Sequence, residues 1–144
     1  FSSQLARMRN LCQMRFMNLS HLMFAVFGGA IGSGLRFSVG ALMLRTMGPG
    51  WPWGTFTVNL VGSLIMGLVM GWFAFKGSGG GSVQIFIATG ILGGFTTFSA
   101  FSLETSRMIE TKAYAQAALY AGSSVILGVS MVFAGLFIMR KVLM

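Results

Sequence analysis

The residues best suited to chemistry lie between positions 90 and 102. This window reads Gly-Ile-Leu-Gly-Gly-Phe-Thr-Thr-Phe-Ser-Ala-Phe-Ser. Each glycine costs a helix about 1 kcal/mol relative to Ala, so Gly93 and Gly94, followed by two β-branched threonines, predict a break in a helix. At membrane depth, a break exposes carbonyl groups that can hold a cation and N–H groups that can face an anion. The window therefore predicts an ion-binding segment.

Four hydroxyls and three phenylalanines in the same window are candidate ion contacts. Hydroxyl groups can donate to an anion, although in a helix they also bond back to the preceding turn. Side chains three positions apart share a helical face, so Phe98 and Phe101 are predicted neighbours whose ring edges carry positive charge. A lone pair of rings is usually packing, but its combination with a break and hydroxyls favours a role in ion passage.

Asn59 is the other polar candidate inside an apolar segment. An amide at membrane depth needs a partner, and a hydrogen bond between helices contributes about 0.6–2 kcal/mol there. By position alone, Asn59 is interpreted equally well as a contact between helices and as a donor to an ion in a pore.

Composition places these residues in a membrane. The 144 residues are 55% hydrophobic and 8% charged, with ten Lys+Arg against two acidic residues, whereas soluble domains carry about 25% charged residues. This balance argues against a soluble enzyme, and one cysteine and one histidine supply neither a zinc cluster nor an ordinary catalytic triad. Basic residues scattered between apolar runs are typical of the flanks of membrane spans, so we expect no nucleic-acid partner.

Four apolar stretches are long enough to cross a bilayer as helices, which takes about 20 residues. They cover approximately residues 19–44, 54–75, 83–109 and 113–139. The sequence predicts an all-α integral membrane protein with four spans in 19–144, the third broken mid-span. Residues 1–18 form a basic extension that is interpreted as an upstream addition, because the apolar run after it is too long for a signal-peptide core.

Basic residues also predict the orientation of the spans. From position 17 onward, the loops and the C-terminus place three basic residues on each side of the membrane: Lys76, Arg140 and Lys141 on one side, Arg45, Arg107 and Lys112 on the other, with Arg36 near the second group. An even count gives the positive-inside rule almost nothing to act on, so the chain is predicted to insert in both orientations and to pair antiparallel. Counting the leader changes the balance to six against three.

Glycine spacing predicts close helix packing. The pairs Gly28-x3-Gly32, Gly67-x3-Gly71 and Gly90-x3-Gly94 have the spacing that lets membrane helices approach closely. Ser63 extends the second pair to Ser63-x3-Gly67-x3-Gly71. For the first two pairs, packing alone is the favoured interpretation. Because four helices offer little interior for a pathway, such dense small-residue faces also favour an oligomer.

Three blocks of the sequence resemble the Fluc/CrcB family of fluoride channels. They are Gly28-Gly29-x-x-Gly32-x-x-x-Arg36, Gly54-Thr55-x-x-x-Asn59-x-x-Gly62-Ser63 and Gly93-Gly94-Phe95-Thr96-Thr97-Phe98-Ser99-x-Phe101-Ser102-x-Glu104. The blocks fall on the first three spans in the family's order, and the fourth span carries Tyr120 and Ser124 at matching positions. Ala100 stands where the family often has Thr, which removes one hydroxyl.

The resemblance implies an antiparallel, dual-topology homodimer in the inner cell membrane. It implies two narrow pores for passive and selective export of fluoride, which protects the cell from fluoride toxicity. It also implies one structural sodium ion (Na+) at the dimer centre, held by the backbone carbonyls of Gly93 and Thr96. The residues implied for the fluoride pathway are Asn59, Phe98, Ser99, Phe101, Tyr120 and Ser124. Those implied near the vestibules are Arg36 and Glu104.

Two other functions remain open from the sequence. A small dual-topology, proton-coupled drug exporter needs a carboxylate inside the membrane, and Glu104 is the one candidate near the interior of a span. A non-transporting membrane scaffold protein would use the glycine faces and tolerate substitution of Phe98 and Asn59. Fluoride efflux from proteoliposomes, with chloride as the control, distinguishes these alternatives from a fluoride channel.

Overall fold

The computed structural model describes residues 19–76 and 81–144, so the predicted extension 1–18 and residues 77–80 of the polar linker lie outside the described residues. Four helical segments in the described residues are long and apolar enough to cross a membrane: Leu19–Met47, Trp53–Phe75, Gly81–Glu110 and Tyr114–Leu143. The prediction of an all-helical protein with four spans is confirmed.

The helices are named here in chain order. Helix α1 is Leu19–Met47, α2 is Trp53–Lys76, α4 is Phe98–Glu110 and α5 is Tyr114–Leu143. Helix α3 runs from Gly81 to Phe95 in three parts: α-helical Gly81–Gln84, π-helical Ile85–Leu92 and α-helical Gly93–Phe95. Helices α3 and α4 together make the third span.

The third span is interrupted at Thr96 and Thr97. Both residues are extended, with φ −83° and ψ 158° at Thr96 and φ −152° and ψ 122° at Thr97. Gly93 and Gly94, in contrast, are helical. A broken third span was predicted where Gly93 and Gly94 are followed by two threonines, and the structure places the break on the threonines and not on the glycines. The β-branched threonines adopt the extended backbone readily, whereas Gly94 meets another helix.

Helices α1 and α3 pack backbone against backbone. A Cβ built on Gly28 would lie 2.5 Å from the carbonyl oxygen of Phe86, and one on Gly90 would lie 2.8 Å from the Cα of Gly28. A Cβ on Gly94 would lie 2.6 Å from the carbonyl oxygen of Gly29. Only glycine permits this approach, so the glycine spacings of the first and third spans serve helix packing.

Helices α2 and α5 form the second close pair. A Cβ on Gly135 would lie 2.5 Å from the carbonyl oxygen of Leu64, and one on Gly71 would lie 2.7 Å from the Cβ of Met139. One on Gly67 would overlap the backbone of α5. The predicted role of this glycine spacing in packing is confirmed, and the two helix pairs form the frame around the break.

Two tight connections set the ends of these helices. Gly48 ends α1 with φ 75°, and its N–H donates to the carbonyl of Leu44 at 3.2 Å, as expected for a helix that ends on a left-handed glycine. Lys112 turns the chain between α4 and α5 with φ 61°. These short turns place the start of α2 and the start of α5 on the same side as the end of α4.

Much apolar surface of the single chain is exposed. Phe37 on α1 is 79% exposed and Phe98 on α4 is 78% exposed. The fully buried side chains of large volume are Val58 and Tyr120, which lie around the start of α2 and α5. A membrane protein that exposes such side chains needs lipid or another protein against them.

Candidate ion pathway

Asn59 of α2 holds the backbone of the break. Its Nδ2 donates to the carbonyl of Thr97 at 3.0 Å, and its Oδ1 accepts from the N–H of Thr97 at 2.8 Å. In an uninterrupted α-helix the Thr97 N–H would donate to the carbonyl of Gly93. Because that N–H goes to Asn59, the Gly93 carbonyl has lost its helical donor.

Thr96 and Thr97 have different local partners. The N–H and the hydroxyl of Thr96 both donate to the carbonyl of Leu92, at 3.0 and 2.9 Å. The carbonyl of Thr96 accepts from Nη1 of Arg36 at 3.4 Å, a long contact. The hydroxyl of Thr97 caps α4 by accepting from the N–H of Ala100 at 3.3 Å.

Polar side chains repeat at every fourth position on α2 and α5, which places each set on one helical face. The α2 set is Thr55, Asn59 and Ser63, and the α5 set is Tyr120 and Ser124. The structure brings Asn59, Ser63 and Ser124 to one cavity of about 310 Å³, together with Phe98 and Phe101.

Two serine hydroxyls of this cavity, those of Ser63 and Ser124, lack hydrogen-bond partners in the described part of the chain. The Oγ of Ser124 is buried and has no hydrogen bond within the described part of the chain. The Oγ of Ser63 likewise makes none to any described residue. A buried hydroxyl left unpaired costs about 1–3 kcal/mol. The cavity therefore offers donors to an ion or to water.

The two predicted phenylalanines are neighbours. The ring centroids of Phe98 and Phe101 lie 5.6 Å apart at 39°, and those of Phe101 and Tyr120 lie 5.3 Å apart at 48°. Phe101 is half-buried, whereas Phe98 projects from the surface of the chain. The rings form a row from the surface to buried Tyr120.

Glu104 of α4 joins three helices. Its Oε1 accepts from the hydroxyl of Thr55 at 2.7 Å, and its Oε2 accepts from the hydroxyl of Tyr120 at 2.7 Å. Tyr120 is 0% exposed, so its hydroxyl needs this partner. Sequence reasoning did not single out Thr55, although its spacing of four from Asn59 placed it on the same face.

A cavity of about 550 Å³ lies beside Glu104, under the loop between α1 and α2. Arg107, Gln116 and Trp51 are among the residues that line it. The indole of Trp51 lies edge-on to the ring of Tyr120 at 5.5 Å and 84°, and Nε2 of Gln116 donates to the carbonyl of Gly50 at 3.0 Å. This open space lies beside Glu104, which the family resemblance implied near a vestibule.

Arg36 and Ser99 lie on a different cavity from the phenylalanine pair. This third space, of about 630 Å³, opens between α1, α2 and α4, and it also contacts Thr97. The Oγ of Ser99 lies 3.3 Å from Oγ1 of Thr97. Within one chain, the structure thus separates Ser99 from Phe98, Phe101 and Ser124.

Ser63 is the residue of the 310 Å³ cavity that sequence reasoning interpreted otherwise. Its spacing from Gly67 suggested a small packing residue, but its hydroxyl faces the same space as Ser124. The sequence signal for Ser63 is its spacing of four residues from Asn59, which matches the spacing of four between Tyr120 and Ser124.

Comparison with known proteins agrees with the predicted resemblance. The model of the family described as "CrcB-like protein, Camphor Resistance (CrcB)" matches residues 23–136. A relative in Caulobacter vibrioides (strain NA1000 / CB15N), named "Fluoride-specific ion channel FluC", is 48% identical over 125 residues, which cover 86% of this chain and 98% of the relative.

Two more relatives carry the same name. The protein from Hyphomonas neptunium is 50% identical over 125 residues, which cover 86% of this chain and 98% of the relative. The protein from Novosphingobium aromaticivorans is 51% identical over 121 residues, which cover 83% of this chain and 95% of the relative. With nearly all of these relatives' length matched and residues 23–136 covered by the family model, the chain belongs to the CrcB family.

Proposed function

We propose that this multi-pass membrane protein is a fluoride-specific ion channel that lets fluoride leave the cytoplasm passively. The observation that carries the proposal is the cavity at the break, where unpartnered hydroxyls and aromatic rings line one space. The relatives named as fluoride-specific ion channels support it. Those names describe channels, in agreement with our expectation that the protein is not an enzyme.

The donors suit the chemistry of fluoride. The ion is small and strongly hydrated, so a narrow passage must replace its water with N–H and O–H donors. Ser63 and Ser124 supply hydroxyls, and Asn59 has a second amide hydrogen beyond the one given to Thr97. Conduction also requires that binding be weak enough for the ion to leave.

The phenylalanines supply attraction without a fixed charge. A ring presents a positive edge, so Phe98 and Phe101 can stabilise an anion at their edges while no cation traps it. The nearest arginine contact to the break, that of Arg36, lies in the other cavity. The row of rings therefore favours passage of an anion over storage of one.

The carbonyls of Gly93 and Thr96 fit the proposed structural sodium ion. The Gly93 carbonyl has lost its helical donor, and the Thr96 carbonyl has only the long contact to Arg36. Carbonyl oxygens are ligands that hard cations prefer. One chain offers two such groups, so two copies would offer four around one ion, which would tie the copies together.

An antiparallel homodimer in the inner membrane completes the proposal. The rings of Phe37 and Phe98 are exposed in the single chain, and a second copy could cover such apolar side chains. The even distribution of basic residues after position 17 supports insertion in both orientations. Fluoride, lipid and a second copy are the proposed partners.

The contacts of Glu104 favour this channel over a proton-coupled drug exporter. A coupled exporter needs a carboxylate that exchanges protons and substrate. Both oxygens of Glu104 instead accept hydroxyl bonds from α2 and α5 at 2.7 Å. The carboxylate is thereby placed to hold Thr55 and Tyr120 beside the vestibule. The unpartnered hydroxyls of the cavity likewise disfavour a scaffold protein.

Fluoride efflux from proteoliposomes tests the function. Liposomes loaded with potassium fluoride should release it when a potassium ionophore collapses the voltage, and liposomes loaded with potassium chloride should not. Efflux of both anions at one rate would contradict fluoride specificity. Absence of fluoride efflux from protein that elutes as one symmetric peak would contradict the channel itself.

A further inference from the structure

Asn59 makes an unusual pair of hydrogen bonds. Among residues 19–76 and 81–144, it is the one side chain that binds both the N–H and the carbonyl of a single residue, Thr97. Thr97 has φ −152° and ψ 122°, the conformation of a β-strand. The amide therefore takes the place that a neighbouring strand would take.

Because this pairing satisfies the backbone groups of Thr97, the span does not need a helical hydrogen bond at this residue. If the amide were absent, the N–H and the carbonyl of Thr97 would both lack partners in an apolar environment, which is unfavourable for each group. The simplest repair is for the Thr97 N–H to return to the Gly93 carbonyl, which would wind another helical turn. The break would then close.

Most of the amide is occupied by this contact. Its Oδ1 and one hydrogen of Nδ2 are bound to Thr97, so one hydrogen remains for the 310 Å³ cavity that Asn59 lines. A donor to an ion needs only that last hydrogen. The geometry thus gives Asn59 a structural role that does not depend on a bound ion.

We propose that Asn59 is a positioning residue that holds the third span open. By binding both backbone groups of Thr97, it keeps the Gly93 carbonyl without a helical donor. It also fixes the start of α4 at Phe98, the next residue. This rests on the proposed function only where flux is measured, because the backbone conformation of Thr97 can be observed without transport.

The test compares two amides of the same protein. Asn59→Leu keeps the size of the side chain and removes both hydrogen-bonding groups. Gln84→Leu is the matched control, because Gln84 is also an amide inside the third span and its Nε2 donates only to the sulfur of Met70, at 3.5 Å, among the described residues. Asn59→Asp retains an acceptor for the Thr97 N–H and loses the donor.

Solid-state NMR of threonine-labelled protein in bilayers reports the conformation directly. The Cα and Cβ shifts of Thr97, identified by their loss in Thr97→Ser, should lie in the extended range in the wild type. They should move to the helical range in Asn59→Leu and stay extended in Gln84→Leu and Asn59→Asp. Fluoride flux should fall at least tenfold in Asn59→Leu and remain near wild type in Gln84→Leu.

Three results would overturn the proposal. One is a helical Thr97 in the wild-type protein, a measurement that needs no variant to fold. The second is an extended Thr97 in Asn59→Leu, which would leave Asn59 as a donor to the ion alone. The third is a helical Thr97 in the control Gln84→Leu. If no fluoride flux is found in any protein but the shift change occurs, the positioning role stands and the channel function fails.

Discussion

The two halves of the third span differ in what they contribute. Helix α3 packs its glycines on the backbone of α1 and buries Leu92 and Phe95. Helix α4 buries none of its residues, yet it carries Glu104 and the phenylalanine pair. Helix α3 is therefore held by close backbone packing, whereas α4 supplies functional side chains. The extended threonines between them allow the two helices to pack independently.

The difference has a physical origin in the two kinds of contact. Backbone packing through glycine tolerates no added atom, because it works only at close approach. The contacts of α4 are made by side chains at hydrogen-bonding and ring distances, and each can be changed without moving a helix. Substitutions at the glycine contacts between α1 and α3 should therefore act on folding, those of the α4 phenylalanines should act on flux, and those of Glu104 should act on both.

The largest effect is expected for Gly32→Ala on α1, which faces α3. A Cβ there would overlap the carbonyl oxygen of Ile91, a backbone atom. Overpacking costs about 1–3 kcal/mol or more, which exceeds the roughly 1 kcal/mol of added helix propensity. We expect a large drop in the thermal unfolding temperature. Gly34→Ala is the control because its Cβ would meet nothing within 4 Å, and an equal drop there would contradict the packing account.

The phenylalanine pair should show the opposite behaviour. Phe98→Ile and Phe101→Ile remove the positive ring edge, so fluoride efflux per protein should fall at least about tenfold while gel filtration shows an unchanged peak. Phe→Met at either site should retain part of the flux, because Met is polarisable and adaptable. Phe133→Ile, at an exposed position of α5, is the control. Wild-type flux in folded Phe98→Ile and Phe101→Ile would remove both rings from the pathway.

Glu104→Gln should affect both folding and flux. Gln has one acceptor oxygen and one NH2 donor in place of the two carboxylate oxygens that now accept separate hydroxyl bonds, so one bond must be lost or reverse its direction. Bonds to a charged group are worth about 1.5–3 kcal/mol, so we expect a destabilisation on this order and a flux reduced several-fold. Chemical denaturation and efflux measure the two effects. Exposed Glu110→Gln should change neither, and an equal loss there would point to net charge as the cause.

Single hydroxyl deletions in the cavity should have moderate effects. Ser63→Ala and Ser124→Ala each remove one unpartnered donor, so flux should fall a few-fold with stability unchanged or slightly higher, since an unsatisfied hydroxyl is lost. The control is Ser130→Ala, whose hydroxyl donates to the carbonyl of Ile126 at 2.8 Å on an exposed face. Flux unchanged in Ser63→Ala would return that residue to a packing role.

The smallest effect, none, is expected when the sodium gradient is reversed. If the carbonyls at the end of α3 hold a structural ion, the fluoride current should keep its size and reversal potential. Planar-bilayer recording with opposite sodium gradients and constant fluoride measures this. A reversal potential that follows the sodium gradient would mean that the cation is transported. The end of α3 would then take part in conduction, and the distinction between a structural α3 and a conducting α4 would fail.

Much of this architecture was predictable from the amino-acid sequence. The four spans were predictable because the thickness of the hydrocarbon core is fixed. The glycine packing was predictable because the size of a Cβ limits how closely two helices approach. The proximity of Phe98 and Phe101 also followed, since three positions on one helix are always neighbours. The family blocks supplied the remaining candidates.

The contacts between distant segments were decided only by the tertiary structure. Nothing in the spacing of the glycines and threonines showed that Gly93 and Gly94 would stay helical while Thr96 and Thr97 became extended. That choice depends on the amide of Asn59, 38 positions away from Thr97 in the chain. The sequence around the break does not reveal this partner, because the stabilisation comes from the contact between Asn59 and Thr97 and is present in neither segment alone.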